Sequence, residues 1–483
     1  MSSGGPVGDR GLSGKRLTVM GLGLFGGGAG AARWALSQGA RVTVTDQKPR
    51  EALREVVRDL EEFPARHPVR FALGGHRSED FEETDVLIVN PAVPPTSPWV
   101  QRAKDAGVHV TTATALLLGL TRARVVAITG TQGKSSTASF THQLIEAAMA
   151  GAGRCLLGGN IGGSLLEQAD GLTERDVVVL ELSSYQLEHL PPDTPRTVSV
   201  AAITNIGVDH IERHGTVDRY REAKLRLMTL IHRGGTAIVP QGELAELART
   251  RTPERVLTHG SGGDFRLTGT WAHAMADRDA QGVADTSTLR VPGEFQRANL
   301  LVALAVALRL GFEPDDLRPT VPLLTGLRHR MESLGEFMAG GVTVEVIDNG
   351  VSTTPESTLS AVKSVQPAGR ALLIAGGQAK QGVSLRPLAD ELAARGDWIM
   401  VPFGAAAADL ARAAREAGAT VDDQPQCESV EDAARRALAI AERDGVRTVL
   451  FSPACASFDR YANFQERALA FRRVLPNEGR RHP

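Results

Sequence analysis

Short apolar, β-branched runs recur along the chain, separated by longer stretches whose apolar residues return every three or four positions. This is the pattern of strands alternating with helices on largely parallel sheets, and it predicts an α/β fold. LTVMGLG from Leu17, RVTVTD from Arg41 and DVLIVN from Asp85 predict strands of a first unit, which closes with VHVTTATALLLGL before the charged TRAR at 121–124. A second unit opens with VVAITG and continues through DVVVLELSS and TVSVAAITNI to the apolar helix ANLLVALAVALRLG. A third has ALLIAGG, DWIMVPFG and RTVLFSPA as strands, with helices such as DAARRALAIAERDG between them. The expected organisation is a flexible Gly- and Ser-rich leader over 1–16, then domains over 17–121, 122–326 and 327–483.

Composition narrows the class. A chain of 483 residues exceeds the ~250–300 at which single cores stop growing, and 42% hydrophobic with 23% charged residues is ordinary for a globular protein. Lys and Arg number 54 against 56 Asp and Glu, so no chain-wide basic field favours nucleic acid. No apolar run approaches the ~20 residues that span a bilayer, and the first residues lack a secretory apolar segment; no membrane partner and a cytoplasmic location are expected. Cys155, Cys427 and Cys455 are scattered, which fits free thiols better than a disulfide framework or a zinc site.

The loops richest in unusual polar residues, GTQGKSS, ELSSYQ, NIGVDH, GGQAK and SPACAS, each follow a strand, where ligands collect in open α/β sheets. Gly130-Thr131-Gln132-Gly133-Lys134-Ser135-Ser136 stands between a strand and the helix-compatible TASFTHQLIEAAMAG. Glycines let backbone N–H groups approach phosphate, a helix N-terminus faces the anion, Lys134 adds a full charge, and Ser135 would hold Mg²⁺. Ile128 occupies the first glycine position of the strict P-loop spacing. The strand and helix around the motif favour ATP or GTP over a glycine turn with a surface lysine.

Gly21-Leu22-Gly23-Leu24-Phe25-Gly26 matches G-x-G-x-x-G after a strand, and Asp46 ends the next strand 20 residues after Gly26. Alone this is a dinucleotide fingerprint and makes a nicotinamide-dependent dehydrogenase the rival reading. A UDP-linked substrate needs the same contacts and also explains the phosphate loop downstream. Gly27 and Gly28 could instead serve tight strand–helix packing.

Glu181 finishes a very apolar strand, so its charge needs water, a partner or a metal, and Mg²⁺ is the natural partner. Asp209-His210 follows a strand in the same manner, and a lone histidine is also compatible with a structural role. On RYREAKLRLMTLI, residues Tyr220, Lys224, Leu227, Met228 and Ile231 share one helical face, which turns Lys224 inward. Desolvation would free its amine for carbamylation, whereas a lysine whose charge escapes past Tyr220 satisfies the same pattern.

The series GTQGKSS, GGNIG, ELSSYQLE, DHIERH, YREAKLR, GLRHRME and SPACASFD resembles the Mur ligases of peptidoglycan synthesis, and the likeness covers nearly all of the chain from about residue 16. The resemblance implies three domains: a Rossmann-like domain for the UDP end, a central P-loop ATPase domain and a C-terminal Rossmann-like domain for an amino acid. It implies an ATP-dependent ligase, acting as a monomer, that joins UDP-N-acetylmuramoyl-L-alanine to glutamate through an acyl phosphate. D-glutamate is the default, with L-glutamate as the alternative. By motif position, Gly21, Gly23, Gly26, Asp46, Gln47, Lys48, Asn160, Ser183 and Gln186 would bind the UDP substrate. Gly130 to Ser136, Asn299 and Arg330 would bind ATP. Ser135, Glu181, His210 and carbamylated Lys224 would hold two Mg²⁺ ions, with Lys134, Glu181, His210 and Lys224 catalytic. Thr353, Lys380, Ser457 and Phe464 would receive glutamate.

Three stretches depart from the family pattern. Asp348-Asn349-Gly350-Val351-Ser352-Thr353-Thr354 stands where NDSKATN is usual, Gly293-Glu294-Phe295-Gln296-Arg297-Ala298-Asn299 replaces G-x-H-N-x-x-N, and Gly376-Gly377-Gln378-Ala379-Lys380 replaces a GGDGK-like segment. These changes make a nucleotide-binding regulator without catalysis a third reading. A hinge for domain closure is expected near 326.

Overall fold

The structure is a computed structural model that describes residues 11–22, 27–276, 279–291, 293–379, 383–423 and 425–476. Gly23, Gly26 and Lys380, assigned to ligands above, lie outside the described residues. The fold is α/β with three sheets. Strands β1 (Arg16–Met20), β2 (Arg41–Asp46), β3 (Arg70–Leu73), β4 (Val86–Val89) and β5 (His109–Thr111) form a parallel sheet in the order β3-β2-β1-β4-β5.

The second sheet takes β6 (Arg124–Thr129), β7 (Cys155–Gly159), β8 (Val177–Glu181), β9 (Val198–Ile203), β10 (Ile231–Pro240), β11 (Arg255–His259), β12 (Phe265–Thr268), β13 (Trp271–Ala276) and β14 (Asp279–Asp285). Their order is β14-β13-β12-β11-β10-β9-β6-β8-β7, and β12 to β14 run as an antiparallel extension. The third takes β15 (Glu332–Ala339), β16 (Val342–Asp348), β17 (Ala371–Gly376), β18 (Trp398–Phe403), β19 (Thr420–Val421) and β20 (Thr448–Ala454), in the order β15-β16-β20-β17-β18-β19.

Strand order locates the ligand crevices. In the first sheet β1 has β2 on one side and β4 on the other, and in the second β6 lies between β9 and β8. Each is a switch point, where successive crossovers leave in opposite directions and a cleft opens beyond the strand's carboxyl end. The loop from Gly21 leaves the first, and the loop from Gly130 leaves the second.

The chain divides into two compact units, residues 1–288 with 298–323, and residues 289–297 with 324–483. The first contains two sheets because their apolar faces share one core: Leu17, Val19 and Trp34 belong to the same buried cluster as Leu118, Val125 and Leu180. Arg33 reinforces this by pairing with Glu167 at 3.1 Å. In the second unit, Val346, Ile374 and Phe451 fill one side of the sheet and Ile347, Leu373 and Leu450 the other.

The helix expected over 219–231 is shorter. It spans Val217–Leu225, tightens to a 3₁₀ turn over Arg226–Leu230, and Ile231 already pairs with Val198 as the first residue of β10. Tertiary pairing of Ile231 overrides the helical apolar period. Lys224 nevertheless faces inward, at 1% exposure.

Candidate active site

Two glycines with positive φ shape the loop after β6, Gly130 at +155° and Gly133 at +78°. A Cβ on Gly130 would run into Thr204 Oγ1, and one on Gly133 into Asn299 Oδ1, so only glycine fits either position. Thr131 N donates to Asn205 O at 2.9 Å and Gln132 N to Asn205 Oδ1 at 2.9 Å, while Thr204 Oγ1 and Asn205 Nδ2 both donate to Gln132 O. The loop is thus held open by the segment after β9. Helix Lys134–Met149 begins directly behind it, with Ser135 and Ser136 buried in its first turn. Lys134 Nζ donates to Thr131 O at 2.9 Å, across the mouth of the loop. Backbone dipoles, a helix N-terminus and a cation converge here, the requirements of a polyphosphate site. Asn299, placed near adenine by motif position, stands against Gly133. Arg330 belongs to the other unit and is half-buried.

Beside β6 runs β8, with Ile128 opposite Glu181. Glu181 is completely buried; Oε1 accepts from Asn160 Nδ2 at 3.2 Å, and Oε2 has no hydrogen-bond partner among the described residues. An orphaned carboxylate oxygen in the interior is costly unless a ligand completes it, and a hard divalent cation such as Mg²⁺ is the group this donor suits. Lys224 Nζ donates to Gly130 O at 2.7 Å and lies 4.6 Å from the centre of the Tyr220 ring. Burial first, and then Lys134, push its pKa down to about 7, against the opposing pull of Asp209 and Glu181. The lysine is therefore not one that extends its charge to solvent.

His210 has left-handed backbone (φ 53°) ahead of the short helix Ile211–His214, and its Nδ1 lies 3.3 Å from Tyr185 OH. Tyr220 completes the frame, its hydroxyl 2.9 Å from Thr131 Oγ1. The structure brings Lys134, Glu181 and Lys224 into one electrostatic neighbourhood around the loop. His210 stands at its edge, its ring centre 6.3 Å from that of Tyr220.

A cavity of about 650 Å³ opens between the first two sheets. Its wall includes Gly21, Asp46, Gln47 and Lys48 from one sheet and Asn160, Ser183 and Gln186 from the other, all assigned to the UDP substrate by motif position. Ser183 and Gln186 also make a reciprocal capping box on helix Ser184–His189: Ser183 Oγ accepts from Gln186 N at 3.2 Å, and Gln186 Oε1 accepts from Ser183 N at 2.9 Å. Asp46 accepts from Leu22 N at 2.8 Å and Lys48 N at 2.9 Å, which engages both carboxylate oxygens with the chain itself. Packing accounts for Gly28, where a Cβ would overlap the backbone of Gly21 and Leu22, but not for Gly27, which has open space around it.

In the second unit, Thr353 and Ser457 follow β16 and β20, adjacent parallel strands, and Phe464 opens helix Phe464–Arg473. Ser457 is buried, and the Phe464 ring meets His329 edge-on at 6.5 Å. The displaced aspartate, Asp348, is a structural residue: His329, Glu332 and Asp348 lie close enough to hold a metal, but Arg472 occupies the cluster, donating to Asp348 at 2.7 Å and pairing with Glu332.

Sequence reasoning passed over Thr204 and Asn205, which hold the phosphate loop, and Asn90 and His76, which line the cavity. The first two stand in TNIGVDH, a polar loop after a strand, which was the available signal. His76 follows β3, a strand of four residues too short to register as periodic.

Residues 128–307 match the Mur ligase middle domain and residues 15–112 the Mur ligase MurD-like N-terminal domain. The UDP-N-acetylmuramoylalanine–D-glutamate ligase of Roseiflexus sp. (strain RS-1) is 33% identical over 96% of this chain and 99% of its own length. That of Geobacter metallireducens is 34% identical over 96% and 98%. The chain belongs to the Mur ligase family. It is an ATP-dependent ligase, and the dehydrogenase reading of its glycine fingerprint is set aside. Among solved structures, the UDP-N-acetylmuramate–alanine ligase MurC of Thermotoga maritima shares the fold, with a TM-score of 0.59 and 18% identity over 95% of this chain and 98% of that one. MurF ligase of the same organism, solved in complex with ADP, gives a TM-score of 0.52 and 17% identity over 96% and 95%.

Proposed function

We propose that this Mur ligase joins UDP-N-acetylmuramoyl-L-alanine to D-glutamate in the cytoplasm, as a monomer, with ATP cleaved to ADP and phosphate. One observation carries the reading: Asn160 lines the large cavity and also donates to Glu181, the buried carboxylate beside the phosphate loop. A substrate seated in the cavity would reach the carboxylate that borders the phosphate loop, as carboxyl activation requires.

The substrate carboxylate does not react with an amine until its oxygen has accepted a phosphoryl group, and two anions must first approach each other. Lys134 and the N–H groups of 130–136 offset that repulsion and stabilise charge on the transferring group. Ser135, Glu181, His210 and Lys224 as its carbamate would hold Mg²⁺, which when bound supplies further neutralisation of phosphate charge. A lysine with its pKa near 7 has the free amine that carbon dioxide needs: a C–N bond forms and one proton leaves. Asn299 and Arg330 would contact the nucleotide. Thr353, Lys380, Ser457 and Phe464 would orient D-glutamate so that its amine attacks the acyl phosphate and phosphate departs. The domains over 17–121, 122–326 and 327–483 would bring the UDP substrate, ATP and the amino acid respectively.

The test is ADP release by the purified chain with UDP-N-acetylmuramoyl-L-alanine and either glutamate enantiomer. Turnover that needs the UDP substrate and D-glutamate together is expected. Turnover with neither enantiomer would falsify the reading, and a preference for L-glutamate would revise the amino-acid substrate.

A further inference from the structure

His76 is among the polar side chains of the cavity wall that neither the glycine fingerprint nor the phosphate loop explains. After β3 the chain turns through Gly74 and Gly75, both at positive φ (+81° and +151°). Gly74 N donates to Lys48 O at 3.0 Å and Gly75 N to Asp46 O at 3.2 Å. These bonds fasten the turn to the segment expected at the base of the UDP substrate and bring His76 into the same cavity. The His76 ring meets Phe81 and Trp99 edge-on at 5.6 Å each, which fixes its plane.

Its tautomer is set as well. Nδ1 lies 2.7 Å from Thr45 Oγ1, and Thr45 is fully buried. Among the described residues that hydroxyl has no other hydrogen-bond partner, so its proton goes to Nδ1 and the ring's own proton sits on Nε2. Burial lowers the pKa of the ring, with Asp46 opposing, in keeping with a neutral imidazole. With Nδ1 taken by Thr45, Nε2 is the ring nitrogen left to donate, on a side chain that lines the cavity together with Asp46, whose carboxylate oxygens each accept one main-chain N–H and keep further lone pairs.

We propose that His76 is a specificity-determining residue for the pyrimidine of the UDP substrate, donating from Nε2 to a uracil carbonyl oxygen. The inference rests on the ligase reading above. Uracil presents a carbonyl acceptor next to its N3 donor and complements His76 with Asp46. Cytosine presents an amino donor next to an N3 acceptor, which sets donor against donor and acceptor against acceptor.

UDP and CDP are measured as competitors of UDP-N-acetylmuramoyl-L-alanine in the full chain and in His76→Phe, which keeps a flat ring and removes the donor. The unsubstituted chain is expected to prefer UDP by about tenfold, and His76→Phe to bring the ratio to about one. The KM for the UDP substrate rises about tenfold in that variant, while the KM for ATP moves less than about twofold. His76→Gln keeps an N–H donor and recovers part of the preference. Thr45→Val, which releases the tautomer, lowers it and serves in place of the Phe variant should that chain fail to fold. An unchanged UDP to CDP ratio in folded variants overturns the role of His76. Failure of the unsubstituted chain to bind any UDP compound would instead overturn the ligase reading.

Discussion

Glu181 and Asp348 are both completely buried carboxylates at the carboxyl end of a parallel strand, one in each unit, yet their surroundings are opposite. Asp348 is saturated: Oδ1 accepts from Gly350 N at 2.8 Å, and Oδ2 accepts from His329 Nδ1 at 2.8 Å and Arg472 Nε at 2.7 Å. Glu181 has one amide from Asn160 on Oε1 and, among the described residues, no hydrogen-bond partner on Oε2. A buried charge that is fully paired with its own chain holds structure together, whereas one left incomplete is waiting for something from outside. The contrast separates the two clusters of acidic and basic residues that position along the chain would rank alike.

Substitutions can break this contrast, and the largest effect is expected at the cation of the phosphate loop beside β8. Lys134→Ala should lower kcat about a thousandfold in the ADP-release assay, since phosphoryl transfer loses its fixed charge. Glu181→Gln should lower kcat/KM about a hundredfold with a melting temperature equal to or above that of the parent, because removal of an unpaired buried charge relieves strain. A large fall in its melting temperature would mean that Glu181 is structural after all. Asp348→Ala should do the reverse of Glu181→Gln in stability, costing about 3–5 kcal/mol, or roughly 6–20 °C in melting temperature, because Arg472 loses a buried partner.

A smaller effect is expected from pH. The Lys224 pKa in the fold, about 7, lies below its ordinary 10.5, so between these values the unfolded chain binds more protons and stability rises with pH. Lys224→Met should remove that rise in urea titrations from pH 7 to 10, and the ¹³C carbamate signal of the parent should grow as pH passes about 7. The smallest expected change is Ser183→Ala, which loses one half of the capping box at a cost of about 1 kcal/mol, read as a lower urea midpoint.

The phosphate loop was legible because its chemistry is local. Glycines, a lysine and a helix start must be consecutive to surround phosphate, so Gly130 to Ser136 carry the information in order. The strand pattern was legible where runs were long and apolar, as in VVVLE or ALLIAG. It named no strand at β3, which is short, nor at β7, β10 to β16 or β19, and it carried a helix through Ile231, where pairing with Val198 ended it. The inward direction of Lys224 could be read from helical spacing, but the choice between a buried amine and an escaping charge depended on Gly130 O and the Tyr220 ring, contributed by other parts of the chain.

By itself, then, the order of residues determined the α/β class and the phosphate-loop motif, since each follows from neighbours a few positions apart. Only the tertiary structure decided which carboxylate is complete and which is open. Asp348 meets Arg472 across 124 positions and Glu181 meets Asn160 across 21, and contacts of that separation arise from how strands are ordered in a sheet rather than from any local period.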